Sequence, residues 1–215
     1  MFRSAGASTG RPSAFCEVVM RYSLLFLVLA GVPACRDAEA RAGQVTPPPA
    51  LSAANDSALT RFRARLPERP GLSGGRETQA TLVRDFVTAL GARDTATLRT
   101  LVLDAGEFAW LYYPTAREAL PPYDLSPELM WFRHDGLSQQ GIAVALETFG
   151  GRAPGYVSHR CADAPRPEGA NLLWGYCQVR LTLAGRADTV EAGLFGLIVE
   201  RGGRFKFVSY ANQLD

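Results

Sequence analysis

Apolar residues recur at helical spacing early in the chain and at strand spacing late in it. Leu82, Val83, Phe86, Val87 and Leu90 mark one face of a helix through residues 77–90, with Gly91 expected as its C-terminal cap. Asp94 can cap a second, short helix whose Leu98, Leu101 and Val102 turn to the same core. Glu107-Phe108-Ala109-Trp110-Leu111-Tyr112-Tyr113 reads as a strand stopped by Pro114. Ser126-Pro127-Glu128 is a helix start, with Ser as cap, Pro at the first position and Glu in the first turn. That helix carries Leu129, Met130, Trp131 and Phe132; Gly136 is expected to interrupt it before a further helix over Leu137–Phe149. From Gly155 onward the signals are β: Tyr156–Arg160, Leu172–Leu183, Thr189–Glu200 and Arg204–Asn212. Within Leu172–Leu183, Cys177, Val179, Leu181 and Leu183 form an apolar face opposite a mixed one, and Gly202-Gly203 suits a tight hairpin. Helices first and antiparallel strands last predict an α+β domain, with N-terminal helices packed on the sheet.

Upstream the pattern changes. Met20–Cys35 places Arg21 before an apolar run of about ten residues that ends in small residues, the layout of a secretory signal. The run is well short of the roughly twenty residues that cross a bilayer. Met20 can itself start translation, which makes 1–19 a leader outside the natural product. From Arg36 to Gly75, Ala, Gly and Pro predict a flexible tether, with Pro47-Pro48-Pro49 as a short polyproline segment. One or two amphipathic turns are expected around Leu59, Phe62 and Leu66, whose arginines face solvent or anionic lipid. The expected division is therefore 1–34 signal peptide, 35–75 tether and 76–215 globular domain.

Composition narrows the function little. The chain has 23 basic and 21 acidic residues; setting aside Arg3, Arg11, Arg21 and Glu17, which precede Cys35, leaves 20 of each. A neutral mature chain gives no support to a nucleic-acid partner. Cys161 and Cys177 are the two cysteines of the folded part, and an even pair in an exported protein reads as a disulfide, with a free-thiol pair as the alternative. His134 and His159 are the only histidines and no ligand spacing exists, so neither a metal nor another cofactor is expected. Gly71-Leu72-Ser73-Gly74-Gly75 matches G-x-S-x-G, but the preceding Pro67 and Pro70 exclude the strand that a nucleophile elbow needs. The motif reads as the end of the linker.

Two resemblances add expectations. Val32-Pro33-Ala34-Cys35 resembles the lipobox of bacterial lipoproteins, which implies cleavage before Cys35, its lipidation, and a membrane anchor facing the periplasm. A plain signal peptide followed by an unmodified cysteine is the competing reading. Arg36 stands where some bacteria place the Asp that retains lipoproteins at the inner membrane, so the resemblance favours the outer membrane. The element order over about Arg76–Asp215 resembles the NTF2-like superfamily, also called cystatin-like or SnoaL-like. That resemblance implies a curved sheet forming a cone whose mouth takes a small apolar ligand; the family holds dehydratases and isomerases as well as non-catalytic binding and assembly modules.

An enzyme of that shape would need a base and an acid or oxyanion donor. Asp104, Glu107, His134, His159 and Glu191 are the candidate bases and Tyr112, Tyr176 and Tyr210 the donors, with His159, Tyr176 and Glu107 the strongest of these weak candidates. None stands in a catalytic spacing. Trp110, Tyr112, Trp131, Trp174 and Tyr176 form an aromatic set suited to a pocket or interface, though aromatics at such spacing are more often core. The expected function is accordingly a tethered envelope lipoprotein that binds a small ligand or an envelope protein without catalysis, with an NTF2-like enzyme as the alternative.

Overall fold

The computed structural model describes residues 50–161, 164–184, 189–212 and 214. The signal, the lipobox and Cys35 lie outside the described residues. One compact unit runs from Pro47 to the end of the chain. Folded structure thus starts well before Arg76, where the sequence places it. Helix α1 (Ala53–Arg63) is capped by Ser52, whose hydroxyl accepts from the Asn55 N–H. It buries Ala58 and Leu59, and the buried Asn55 amide donates to the carbonyls of Ala119 and Leu125. Arg63 donates twice to the Ala109 carbonyl and lies 4.2 Å over the Trp110 ring. The apolar positions at 59, 62 and 66 are sparse, but each has core to meet, and long-range contacts decide the outcome.

Helix α2 (Gln79–Ala92) and α3 (Thr95–Leu101) follow the predicted periodicity, burying Leu82, Val83, Phe86, Val87, Leu90, Leu98 and Leu101. The α2 cap is Arg93, at φ 55°, not Gly91. Gly91 serves another need, since a Cβ there would stand 2.8 Å from Pro154 Cδ. The predicted strand at Glu107–Tyr113 is helical instead. Asp104 and Glu107 form a capping box: Asp104 Oδ1 accepts from the Glu107 N–H at 2.7 Å and Glu107 Oε2 from the Asp104 N–H at 3.0 Å. This nucleates α4 (Ala105–Glu107), a π turn (Phe108–Tyr112) and two 3₁₀ turns (Tyr113–Thr115, Arg117–Ala119). Local capping outweighs the β preference of the aromatics, which bury their rings equally well in a wound chain. Helix α5 (Pro127–Phe149) starts at the predicted cap and passes through Gly136 without a break.

The strands form two antiparallel sheets. One has order β1 (Gly155–Arg160), β4 (Gln178–Thr182), β5 (Thr189–Ala192); the other has order β2 (Arg166–Glu168), β3 (Asn171–Trp174), β6 (Ile198–Arg201), β7 (Arg204–Phe207). The α+β class holds. Two long predicted strands are each divided between the sheets: Leu172–Leu183 breaks at Gly175–Cys177, where Tyr176 has φ 51°, and Thr189–Glu200 breaks between Ala192 and Ile198. The hairpin at Gly202-Gly203 has both φ angles positive, at 56° and 71°. Cys161 and Cys177 form a disulfide, S–S 2.00 Å. Two apolar clusters result, one of α2, α3 and the three-stranded sheet with Phe195 and Phe207, the other around Leu59, Phe108, Tyr112, Tyr113 and Met130.

Candidate functional site

The helical turns from Phe108 to Thr115 and the β2–β3 hairpin come together through pairs distant in sequence. Thr115 Oγ1 donates to the Glu168 carbonyl at 3.0 Å, and Asn171 Nδ2 to the Leu111 carbonyl at 2.8 Å. Gly169 permits this approach: its φ is +60°, and an added Cβ would lie 2.4 Å from Thr115 Cγ2. Two-residue alternation puts Arg166 and Glu168 on one side of β2, joined by Arg166 Nη2 to Glu168 Oε1 at 2.9 Å. Among the described residues, Glu168 Oε2 and Glu118 Oε2 are buried without a hydrogen-bond partner.

Burial is the main force raising the Glu168 carboxyl above the usual range; Arg166 opposes it and Glu118 adds to it. Burial also raises the Tyr112 hydroxyl, with Glu168 and Glu118 next in effect. The His134 imidazole is held below its ordinary value by burial first, with Glu118 opposing and Arg133 adding. Its ring lies 5.7 Å from that of Tyr112. Two carboxyls, an imidazole and a phenol therefore share one electrostatic neighbourhood. Native Glu168 keeps its proton to higher pH than the unfolded chain does. The stability this confers is complete below the unfolded value of about 4.3 and is lost as pH rises through the native value. In urea unfolding between pH 4 and 8, the stability of wild type relative to Glu168→Gln should fall with rising pH. A flat difference would contradict the raised carboxyl.

Open space surrounds this neighbourhood. A cleft of about 590 Å³ is lined by apolar Leu120, Pro121, Pro122 and Tyr123 and by Arg117, Arg166 and Glu168. Arg117 Nη2 donates to the Tyr123 hydroxyl at 3.3 Å. Glu118 and His134 both line a smaller cavity of about 140 Å³ with Met130 and Leu137. Glu118, Arg166 and Tyr176 border a third, of about 350 Å³.

The residues singled out from sequence are distributed differently. Glu107 is fully buried and bonded to Lys206 Nζ at 2.6 Å. It also accepts from the Ser73 N–H at 2.6 Å, the Ser73 hydroxyl at 3.0 Å and the Asp104 N–H. Four donors occupy its two oxygens. Lys206 Nζ further donates to the Ser73 carbonyl at 3.0 Å, so the G-x-S-x-G loop is tied to the interior and is no free linker end. Asp104 caps α4 and pairs with Arg69 at 2.7 Å. His159, on β1, shares Nδ1 with the Tyr156 hydroxyl at 2.9 Å and Nε2 with Gln79 Oε1 at 3.3 Å. Burial lowers its pKa. Tyr210 donates to the Leu98 carbonyl at 2.6 Å, and Glu191 is exposed on β5 opposite Arg180.

The five aromatics do not line one pocket. Trp110, Tyr112 and Trp131 belong to the Phe108 cluster, whereas Trp174 packs on the other and donates to Glu200 Oε2 at 3.3 Å. Tyr176 is 76% exposed at the break between β3 and β4. Sequence reasoning missed Glu118, Arg166 and Glu168. Glu118 lies just before a proline-rich connection and Glu168 beside a proline, with no periodicity to mark either. Only their juxtaposition across about fifty residues gives them a shared environment.

Among the described residues, no group of three or more His, Cys, Asp or Glu is placed to hold a metal ion, and no helix is long and apolar enough to cross a membrane. No protein-family model, curated protein or solved structure matches the chain. The α+β class and the geometry around Glu168 are thus the basis for a functional reading.

Proposed function

We propose that this is a membrane-tethered envelope lipoprotein whose α+β domain binds a small ligand or an envelope protein without catalysing a reaction. The observation that carries the binding role is the 590 Å³ cleft, lined by apolar Leu120, Pro121, Pro122 and Tyr123 together with Arg117, Arg166 and Glu168. A concave apolar wall with a few convergent polar groups is how ligand sites are built. Export is supported by the signal-like Met20–Ala34 and by the Cys161–Cys177 disulfide, a bond of oxidising compartments. The anchor reading rests on Val32-Pro33-Ala34-Cys35, and Arg36 favours the outer membrane facing the periplasm. An NTF2-like arrangement of helices on a curved sheet is the finer fold reading that belongs with it.

The first experiment is intact mass and membrane fractionation of the expressed protein beside Cys35→Ala. The expected result is cleavage before Cys35 with acyl chains added, both lost in the variant together with membrane association. A soluble, unacylated product from the wild-type gene would remove the anchor.

A dehydratase- or isomerase-type enzyme acting on a small apolar substrate is the second reading. It is favoured by one observation: Glu118 and His134 face a common cavity beside the Tyr112 ring. Glu118→Gln separates the two readings. It should leave ligand uptake in the neighbouring 590 Å³ cleft intact if the domain only binds, and abolish turnover if it catalyses.

A further inference from the structure

The 590 Å³ cleft holds two polar groups that the fold uses only in part. The Glu168 side chain is 6% exposed and lines the cleft, yet only one of its carboxyl oxygens is bonded. Arg166 donates to Oε1 twice, from Nε at 3.1 Å and from Nη2 at 2.9 Å, while Oε2 accepts from no group among the described residues. Buried carboxyl oxygens almost always have a donor, so one without a partner calls for an explanation outside the chain. A partial turn about the terminal torsion, which is broad in glutamate, offers that oxygen to the cleft.

Arg117 is the complementary group. It is exposed, its guanidinium donates from Nη2 to the Tyr123 hydroxyl, and among the described residues it pairs with no carboxylate. Its planar fork matches a carboxylate through two parallel hydrogen bonds. The Arg117 backbone adjoins the Glu168 carboxyl, so a donor at Glu168 and an acid at Arg117 can belong to one small molecule. Charge favours a ligand that carries both signs. Arg117 and Arg166 are matched by Glu168 and by Glu118, which acts on the Glu168 carboxyl. A simple anion would leave Glu168 Oε2 without a donor, and a simple cation would leave Arg117 without a partner. Apolar surface in the same cleft comes from Leu120, Pro121, Pro122 and Tyr123.

We propose that the cleft takes a free amino acid with a large apolar side chain. Its ammonium donates to Glu168, its carboxylate accepts from Arg117, and its side chain lies along Pro121, Pro122 and Tyr123. The volume of the cleft is that of a small-ligand site. This assignment rests on the binding reading above, and the choice of probes keeps the two apart.

The test is calorimetric titration of the full-length protein in detergent with three probes: L-phenylalanine, hydrocinnamate, which lacks the ammonium, and phenethylamine, which lacks the carboxylate. Phenylalanine should bind about tenfold tighter than either, the effect of losing one hydrogen bond to a charged group. Arg117→Gln, at an exposed position, should weaken phenylalanine about tenfold and leave phenethylamine unchanged. Glu168→Gln should weaken phenylalanine and leave hydrocinnamate unchanged, with a thermal melt showing that the variant is folded. Hydrocinnamate bound as tightly as phenylalanine would keep the cleft a ligand site and overturn the amino acid. Phenylalanine bound equally by wild type and Arg117→Gln would overturn the placement. No uptake of any probe would overturn the assignment and weigh against the cleft as a small-ligand site.

Discussion

Gly141→Ala should destabilise the domain by about 3 kcal/mol or more, the upper end of what overpacking costs. An added Cβ at 141 would stand 1.8 Å from the Tyr210 carbonyl oxygen and 2.7 Å from its carbon, both backbone atoms. Neither side can withdraw. The Tyr210 N–H donates to Ser138 Oγ at 3.1 Å, its hydroxyl is bound by the Leu98 carbonyl, and Asn212 Nδ2 donates to the Gly141 carbonyl at 2.7 Å. Gly136, five residues earlier in α5, has open space around it. There the same substitution should stabilise by about 0.5–1 kcal/mol, through helix propensity alone. Urea midpoints of the two variants should therefore move in opposite directions. A tolerated Gly141→Ala would mean that α5 and the C-terminal segment do not pack as described.

Lys206→Met should cost about 3–5 kcal/mol, the usual penalty for stranding one partner of a buried ion pair. The side chains of Lys206 and Glu107 are 3% and 0% exposed, and no solvent can replace the lost cation. The same change unfastens the Ser73 loop from β7, because the ammonium also holds the Ser73 carbonyl. Adding Glu107→Gln should recover part of the loss, since a neutral amide is far cheaper to bury than a lone carboxylate. Thermal unfolding of the single and double variants checks both statements; a double variant no more stable than Lys206→Met would assign the loss to packing and not to charge.

The elements read correctly from sequence are those written within a turn or two of chain. Asp94 caps the start of α3, Ser126-Pro127 starts α5, and Gly202-Gly203 turns the last hairpin. Glu107–Tyr113, a strand by its β-type composition, is helical because the Asp104–Glu107 capping box, equally present in the sequence, starts a helix there. The cysteine pairing was legible from parity, Cys161 and Cys177 being the two cysteines of the folded part. Glu107 and His159 were candidates by residue type, yet each spends its polar atoms on internal partners.

The sequence by itself determined the α+β class, the helical faces and the turns, because each depends on periodicity or capping over a few residues. Only the tertiary structure decided that Leu172–Leu183 and Thr189–Glu200 are each shared between two sheets, since alternation looks the same whichever neighbour a strand takes. It also decided that the segment around Leu59 and Leu72 is core and not tether, because three sparse apolar residues gain their burial from elements fifty residues away. The grouping of Glu118, Arg166, Glu168, His134 and Tyr112 has the same cause. A carboxylate's surroundings are set by what the fold brings beside it, and no local pattern carries that information.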